Sequence, residues 1–297
     1  MTLARREIGE APGLPARTIE IVSSLAVHRA LSARQIGAIH LPAVKERWVR
    51  RVLSRIAAAG LIDHTRTTGA PQRLWFATED GIRIAVEAGA LPRATRAMTA
   101  AEVRGPLQAH TVAVNESAIA FLRAARRRGE DFGPLAWRHE VAHPLRPGVR
   151  GRRARAVIAD AVLTYLRLTE EEVLVEQRFL ELDRATLPVD AMATELARYA
   201  ELFAAQDKGR DPVWVRRYPV FPGVVCVLAG AGREALERRR DTALALLRAK
   251  PGLTRSPEVG IRICLLEDLV ARGPFEPIFR GLREPGLEVD WLGEEAP

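Results

Sequence analysis

The residues best suited to chemistry are three carboxylates in the second half of the chain. Asp160 stands within an apolar run, Val157 to Leu163, and Glu181 and Asp183 close the next run, which begins at Val173. Positions 181 and 183 are two apart, so on a strand both side chains project from one face. If the two strands are neighbours, Asp160 joins them in an acidic cluster. Hard carboxylate oxygens suit Mg2+, which can activate water against a phosphodiester. Asp160, Glu181 and Asp183 are therefore the candidate catalytic and metal-binding residues. A second reading of the same three is strand-end carboxylates, solvated or paired with nearby arginines.

A different chemistry is offered near the start. From about Val44 to Ala59 the residues Val49, Val52, Leu53 and Ile56 fall on one face of a helix, while Arg47, Arg51 and Ser54 fall on the other, with Arg50 on the flank. One face can pack on protein while the other meets phosphates or base edges. Arg66 and Arg73 flank a turn at 68–71, so they are expected near the tip of a hairpin.

Two further motifs carry less. His139-Glu-Val-Ala-His143 fits a zinc-protease pattern, which needs both histidines on one helix face. Pro134, Pro144 and Pro147 surround it, and Leu135, Trp137, His139 and Val141 alternate as a strand. Gly230-Ala-Gly-Arg-Glu-Ala235 has the shape of a dinucleotide fingerprint, but a tight strand-to-helix turn explains its glycines.

The elements that must position these residues follow from periodicity. A helix over 17–30 is followed by Ser32-Ala-Arg-Gln35, a capping box that opens a second helix closed by Pro42. The third helix stops at Gly60, and strands are expected over 61–66 and 73–78. Three helices and a basic hairpin describe a winged helix-turn-helix DNA-binding domain over about 15–90. A linker is expected over 91–106, ending in Gly-Pro, and a second domain over 107–290. That domain opens with a helix from Gln108 to Arg128, whose Arg126-Arg-Arg128 run reads as a solvated terminus. Strands are expected over 135–141, 156–166, 172–182, 220–228 and 260–266, and helices over 189–206 and 231–249. The fold class is mixed α/β.

Composition bounds the partners. With 297 residues, 47% hydrophobic and 28% charged, the chain should fold as a globule of two domains. Residues 1–90 carry 13 basic and 8 acidic groups, residues 91–156 carry 13 and 5, and residues 157–297 carry 19 and 24. A basic first half favours a polyanion there, although 42 of the 45 cations are arginine, a bias that GC-rich coding also produces. The longest uncharged stretch, between Arg217 and Arg233, is too short to span a bilayer, so no membrane partner is expected. No secretory signal follows Arg5 and Arg6, and two cysteines cannot build a disulfide framework, so a cytoplasmic protein is expected.

Several of these segments resemble known families. The helical order, Arg51 to Ile62 and Ala77-Thr-Glu-Asp-Gly81 resemble the MarR-like and ArsR-like winged-helix regulators. Asp160 followed by Glu181-x-Asp183 resembles the PD-(D/E)xK nucleases, and Glu195-Leu-Ala-Arg-Tyr199 looks like the Q-x-x-x-Y segment of their RecB-like branch. Here Ala159 replaces the usual proline, and Asp183 stands where the catalytic lysine belongs. Arg184 is adjacent but by strand alternation points the other way.

Taken whole, the chain resembles the replication-relaxation family of plasmids and mobile elements, from about residue 18 to 283. His110-Thr-Val-Ala-Val-Asn115, Trp137-Arg-His-Glu140, Ala159-Asp-Ala161 and Phe179 to Arg184 carry the match, with the winged helix and the Tyr199 helix.

That resemblance implies a winged helix followed by a restriction-endonuclease-like α/β domain with a degenerate site. The expected function is binding double-stranded DNA in plasmid replication, relaxation or transfer, alongside replication or transfer proteins or a second copy of the chain. The alternatives are an active Mg2+-dependent DNA nuclease and a dimeric winged-helix transcription regulator.

Overall fold

The computed structural model describes residues 15–66, 72–146, 155–169, 171–207, 211–283 and 286–294. The architecture is mixed α/β and divides into two units, Met1–Asn115 and Glu116–Pro297.

The first unit runs α1 (Ala16–His28), β1 (Leu31–Ser32), α2 (Ala33–His40), α3 (Glu46–Ala58), β2 (Ile62–Arg66), β3 (Arg73–Ala77), α4 (Glu79–Glu87) and α5 (Ala100–Val103). It ends in the opening turns of α6 (Gln108–Arg128). The capping box forms as its sequence requires: Ser32 accepts from the Gln35 amide, and the Gln35 side chain accepts from the Ser32 amide. Strands β1, β3 and β2 make an antiparallel sheet in that order. The turn expected at 68–71 lies outside the described residues.

Gly81 is required by close approach, because a Cβ there would lie 2.0 Å from the carbonyl oxygen of Leu61. Thr78 locks the same junction, donating to the Gly60 carbonyl and accepting from the Gly81 amide. Within the segment expected as a linker, Thr99 and Glu102 form a second capping box, and Val103 packs with Ala30, Leu74 and Phe76. Buried Asn115 donates to the carbonyls of both His28 and Ala30, around Arg29, whose φ is 69°.

The second unit carries the rest of α6 and a seven-stranded sheet. Its strands are β4 (Trp137–Pro144), β5 (Ala156–Leu168), β6 (Val173–Asp183), β9 (Gly223–Leu228), β10 (Ile261–Leu265), β11 (Phe279–Gly281) and β12 (Glu288–Val289). Their order is β12-β11-β10-β9-β6-β5-β4, with β6–β9 and β9–β10 parallel and the rest antiparallel. A short hairpin of β7 (Gln206–Asp207) and β8 (Asp211–Pro212) lies outside this sheet.

Helices α7 (Val189–Ala204), α8 (Arg233–Arg248) and α9 (Pro251–Arg255) contribute Leu196, Tyr199, Leu244 and Leu253 to one core with Phe179, Val224 and Ile263. On the other face Tyr165 of β5 touches Phe132 and Trp291, and Trp291 meets Phe121 of α6 edge-on. Register places Tyr165 opposite Glu176 and Val162 opposite Phe179, so alternation sends Tyr165 and Phe179 to opposite faces. Helix α10 (Leu266–Arg272) follows β10 directly. Both cysteines are buried free thiols.

Candidate functional site

Helix α3 buries Val49, Leu53 and Ile56 and exposes Lys45, Glu46, Arg47, Trp48, Arg50, Arg51, Ser54 and Arg55. The expected division of its faces is thus what the helix adopts. Arg50 reaches back one turn to Glu46 at 2.5 Å. The Ser54 hydroxyl donates to the Arg50 carbonyl at 2.9 Å, so in this rotamer its oxygen is left as an acceptor. Trp48 is 47% exposed, and the Arg51 guanidinium carbon lies 4.6 Å from its ring centroid. That pairing places the Arg51 guanidinium against the Trp48 ring on the exposed side of the helix.

Beside α3 is a concave space of about 610 Å³, lined by Arg34, Glu46, Arg50, Ser54, Arg73 and Trp75 together with Ala33 and Gln72. Of the residues expected to act together, Arg50, Ser54 and Arg73 meet there. Arg47 and Arg51 stay on the exposed face without lining it. Arg66 pairs directly opposite Arg73, at the last described rung of the hairpin. Two like charges in that relation are destabilising. Below them His64 lies opposite Trp75 with ring centroids 4.7 Å apart, which stiffens the hairpin.

Sequence reasoning missed Arg34, Gln72 and Trp48. Arg34 sits at the second position of α2, where the Ser32 cap would have placed it. Trp48 was marked only by its exposure.

In the second unit the three carboxylates are divided. The β4–β5 ladder pairs His139 with Ala161 and Val141 with Ala159, skipping Glu140, whose φ is 48°. The β5–β6 ladder stops at Ala161 and Leu180. Ala159 and Val162 consequently reach the same core, against strict alternation. At this irregularity the Asp160 carboxylate accepts from the Leu182 amide at 2.8 Å, in place of a ladder carbonyl.

Partly buried Glu181 accepts a short hydrogen bond from the Tyr199 hydroxyl. Loss of water, then the neighbouring Asp160 charge, pushes the Glu181 carboxyl well above the ordinary carboxylate range, and a hydrogen bond between the two acids adds to the shift. Burial, then Glu181, raises the Tyr199 hydroxyl as well.

Asp183 goes elsewhere. Arg239 of α8 donates to it from Nε at 2.5 Å and from Nη2 at 3.0 Å. Asp160 and Glu181 are together, then, but Asp183 carries a guanidinium where a metal ligand must be open. Among the described residues, no group of three or more His, Cys, Asp or Glu is arranged to hold a metal ion. With Asp183 held by Arg239, the three carboxylates do not form the Mg2+ site expected of them. Tyr199 was marked by the sequence; Arg239, 56 positions from Asp183, was not.

The zinc-protease pattern falls on strand β4, as its prolines suggested. His143 is buried, hydrogen-bonded to Tyr218 at 2.7 Å and edge-on to Phe179. Burial, reinforced by the Arg217 charge, lowers it to about 4, so it is neutral at physiological pH. In the glycine motif, Gly230 has φ 86°, and a Cβ there would lie 2.5 Å from the Arg184 carbonyl oxygen. The turn therefore accounts for it. The helix that follows begins with Arg233, which is ion-paired to Asp268, Glu237 and Glu267.

Among the described residues no helix is long and apolar enough to cross a membrane. Against known proteins, the family model described as replication-relaxation matches residues 22–224. No curated protein and no solved structure matches the chain.

Proposed function

The chain belongs to the replication-relaxation family, and on that premise we propose that it is a DNA-binding protein whose first unit is a winged helix-turn-helix. The role is one in replication or relaxation, and the finer reading assigns double-stranded DNA as the partner. Helix α3 lies along the major groove, with Arg47, Arg50 and Arg51 on phosphates or base edges. The β2–β3 hairpin is the wing, and Arg66 and Arg73 reach the neighbouring backbone. The observation that carries this reading is the shared groove: Arg50 of α3 and Arg73 of the hairpin line it together with Arg34.

The second unit is read as a restriction-endonuclease-like fold without a working metal centre, retained for binding DNA or a partner. The Asp183–Arg239 pair and the Glu181–Tyr199 bond support that reading. The setting is cytoplasmic, on a plasmid or other mobile element, with replication or transfer proteins as companions. A homodimer would present two recognition helices to paired half-sites.

Retardation of labelled duplexes by the full chain tests the proposal. Arg66→Ala with Arg73→Ala should weaken binding about equally across sequences, because phosphate contacts carry no base information. Supercoiled plasmid should stay intact with Mg2+ or Mn2+. Failure to retard any duplex removes the DNA reading. Metal-dependent nicking abolished by Asp160→Ala makes the second unit an active nuclease.

A further inference from the structure

Away from the acidic residues, two helix ends of the second unit bring three guanidinium groups together. Arg127 and Arg128 close α6, and Arg272 closes α10. With Gly273, Phe275 and Glu276 they line a concave space of about 120 Å³. All three arginines are exposed.

The site is held from below. The Arg128 guanidinium carbon lies 4.0 Å from the Phe275 ring centroid, and its Nε donates to Glu130 at 2.9 Å. Glu130 also accepts from the Tyr165 hydroxyl at 2.6 Å, so Arg128 is fixed and its charge is answered. Gly273 has φ 97°, and a Cβ there would lie 2.9 Å from Nη2 of Arg127. The positive φ favours glycine there, and the Arg127 guanidinium lies over it.

Among the described residues, the side chains of Arg127 and Arg272 have no ion pair and no hydrogen bond, including to the carbonyls of their own helix ends. An arginine at a helix terminus can bond those carbonyls, and these two do not. Two guanidinium groups therefore line the space without a protein partner among the described residues, and Glu276 on the rim lowers its net charge. That combination suits a singly charged oxyanion better than a dianion, and guanidinium forks match phosphate oxygens in shape.

We propose that Arg127, Arg128 and Arg272 form a phosphodiester-binding site, a nucleic-acid backbone contact in the second unit separate from that of α3. The ligand is the phosphate group itself, carried by a duplex or supplied as a free anion. The site stands on its own residues and does not require the α3 reading.

The test uses the full chain and a short labelled duplex, titrated over a range of salt. Arg127→Ala with Arg272→Ala should lower affinity about threefold to tenfold at moderate salt. It should also make the slope of log K against log salt shallower by about 0.9, the value for one phosphate no longer neutralised. Arg127→Lys with Arg272→Lys should keep the slope, which separates charge from a folding defect. The same increment should appear on an Arg47→Ala, Arg51→Ala background, so failure of one site is distinguishable from failure of the other. Saturable binding of inorganic phosphate that the double alanine variant loses, with the duplex slope unchanged, supports the site and assigns it to a free anion. An unchanged duplex slope together with no phosphate binding overturns the proposal.

Discussion

Asp183 at the end of β6 and Arg239 in α8 are joined by two hydrogen bonds, with side chains only 14% and 12% exposed. Removing one partner strands the other charge in a largely dry position. Asp183→Ala should therefore cost about 3–5 kcal/mol in urea unfolding, whereas Asp183→Leu with Arg239→Met should recover most of that loss. A loss of only a few tenths for the single variant would mean that the pair is solvent-screened and leaves Asp183 available.

Glu181 makes the stability of the second unit depend on pH in a direction opposite to an ordinary ion-paired acid. Its folded-state carboxyl is raised above the ordinary value of 4.5, so the fold favours its protonated form. That contribution is complete below the ordinary value and is lost as pH rises from there through the raised one. Glu181→Gln should match the wild type near pH 4 and exceed it in unfolding midpoint at pH 8. A variant that matches the wild type near pH 4 but is less stable at pH 8 would show that the carboxyl is needed ionised.

The same geometry bears on metal. An ion bound only by the folded chain would add about 2.7 kcal/mol at a hundred times its dissociation constant. Saturating Mg2+ should leave the unfolding midpoint where it is. A rise that Asp160→Ala abolishes would show a metal ion bound at Asp160.

Much of the fold was legible because its signals are local. The helix expected from Gln108 to Arg128 is α6 itself, and the Ser32 capping box and the Gly60 stop fell where side-chain spacing placed them, whereas the strand expected over 135–141 runs instead from Trp137 to Pro144. Residues 100–103 were read as linker, since four residues carry no periodicity; only burial of Val103 among Ala30, Leu74 and Phe76 explains that helix. At the acidic site the sequence correctly brought Asp160 beside Glu181 but sent Asp183 to the same cluster. Strand alternation was obeyed, yet a guanidinium from 56 residues downstream took the last carboxylate, and no local pattern announces such a partner. The skipped pair at Glu140 was likewise invisible, because it depends on a backbone conformation of a residue that tolerates it poorly.

Asn115 ties the α1–β1 connection to α6 through two carbonyls. Asn115→Ala should destabilise the first unit by about 1–3 kcal/mol, the cost of buried acceptors losing their donor, read by thermal unfolding. No change would show that water replaces the amide there.

The central claim is that α3 meets a duplex with its arginine face. The most direct measurement is the salt dependence of duplex binding for the full chain and for Arg47→Ala with Arg51→Ala. The expected result is a steep fall in affinity with salt and a slope shallower by about 1.8 in the variant, about 0.9 for each phosphate that loses its arginine. Equal slopes and affinities for the two proteins, or indifference of the wild type to duplexes in dilute buffer, would contradict it.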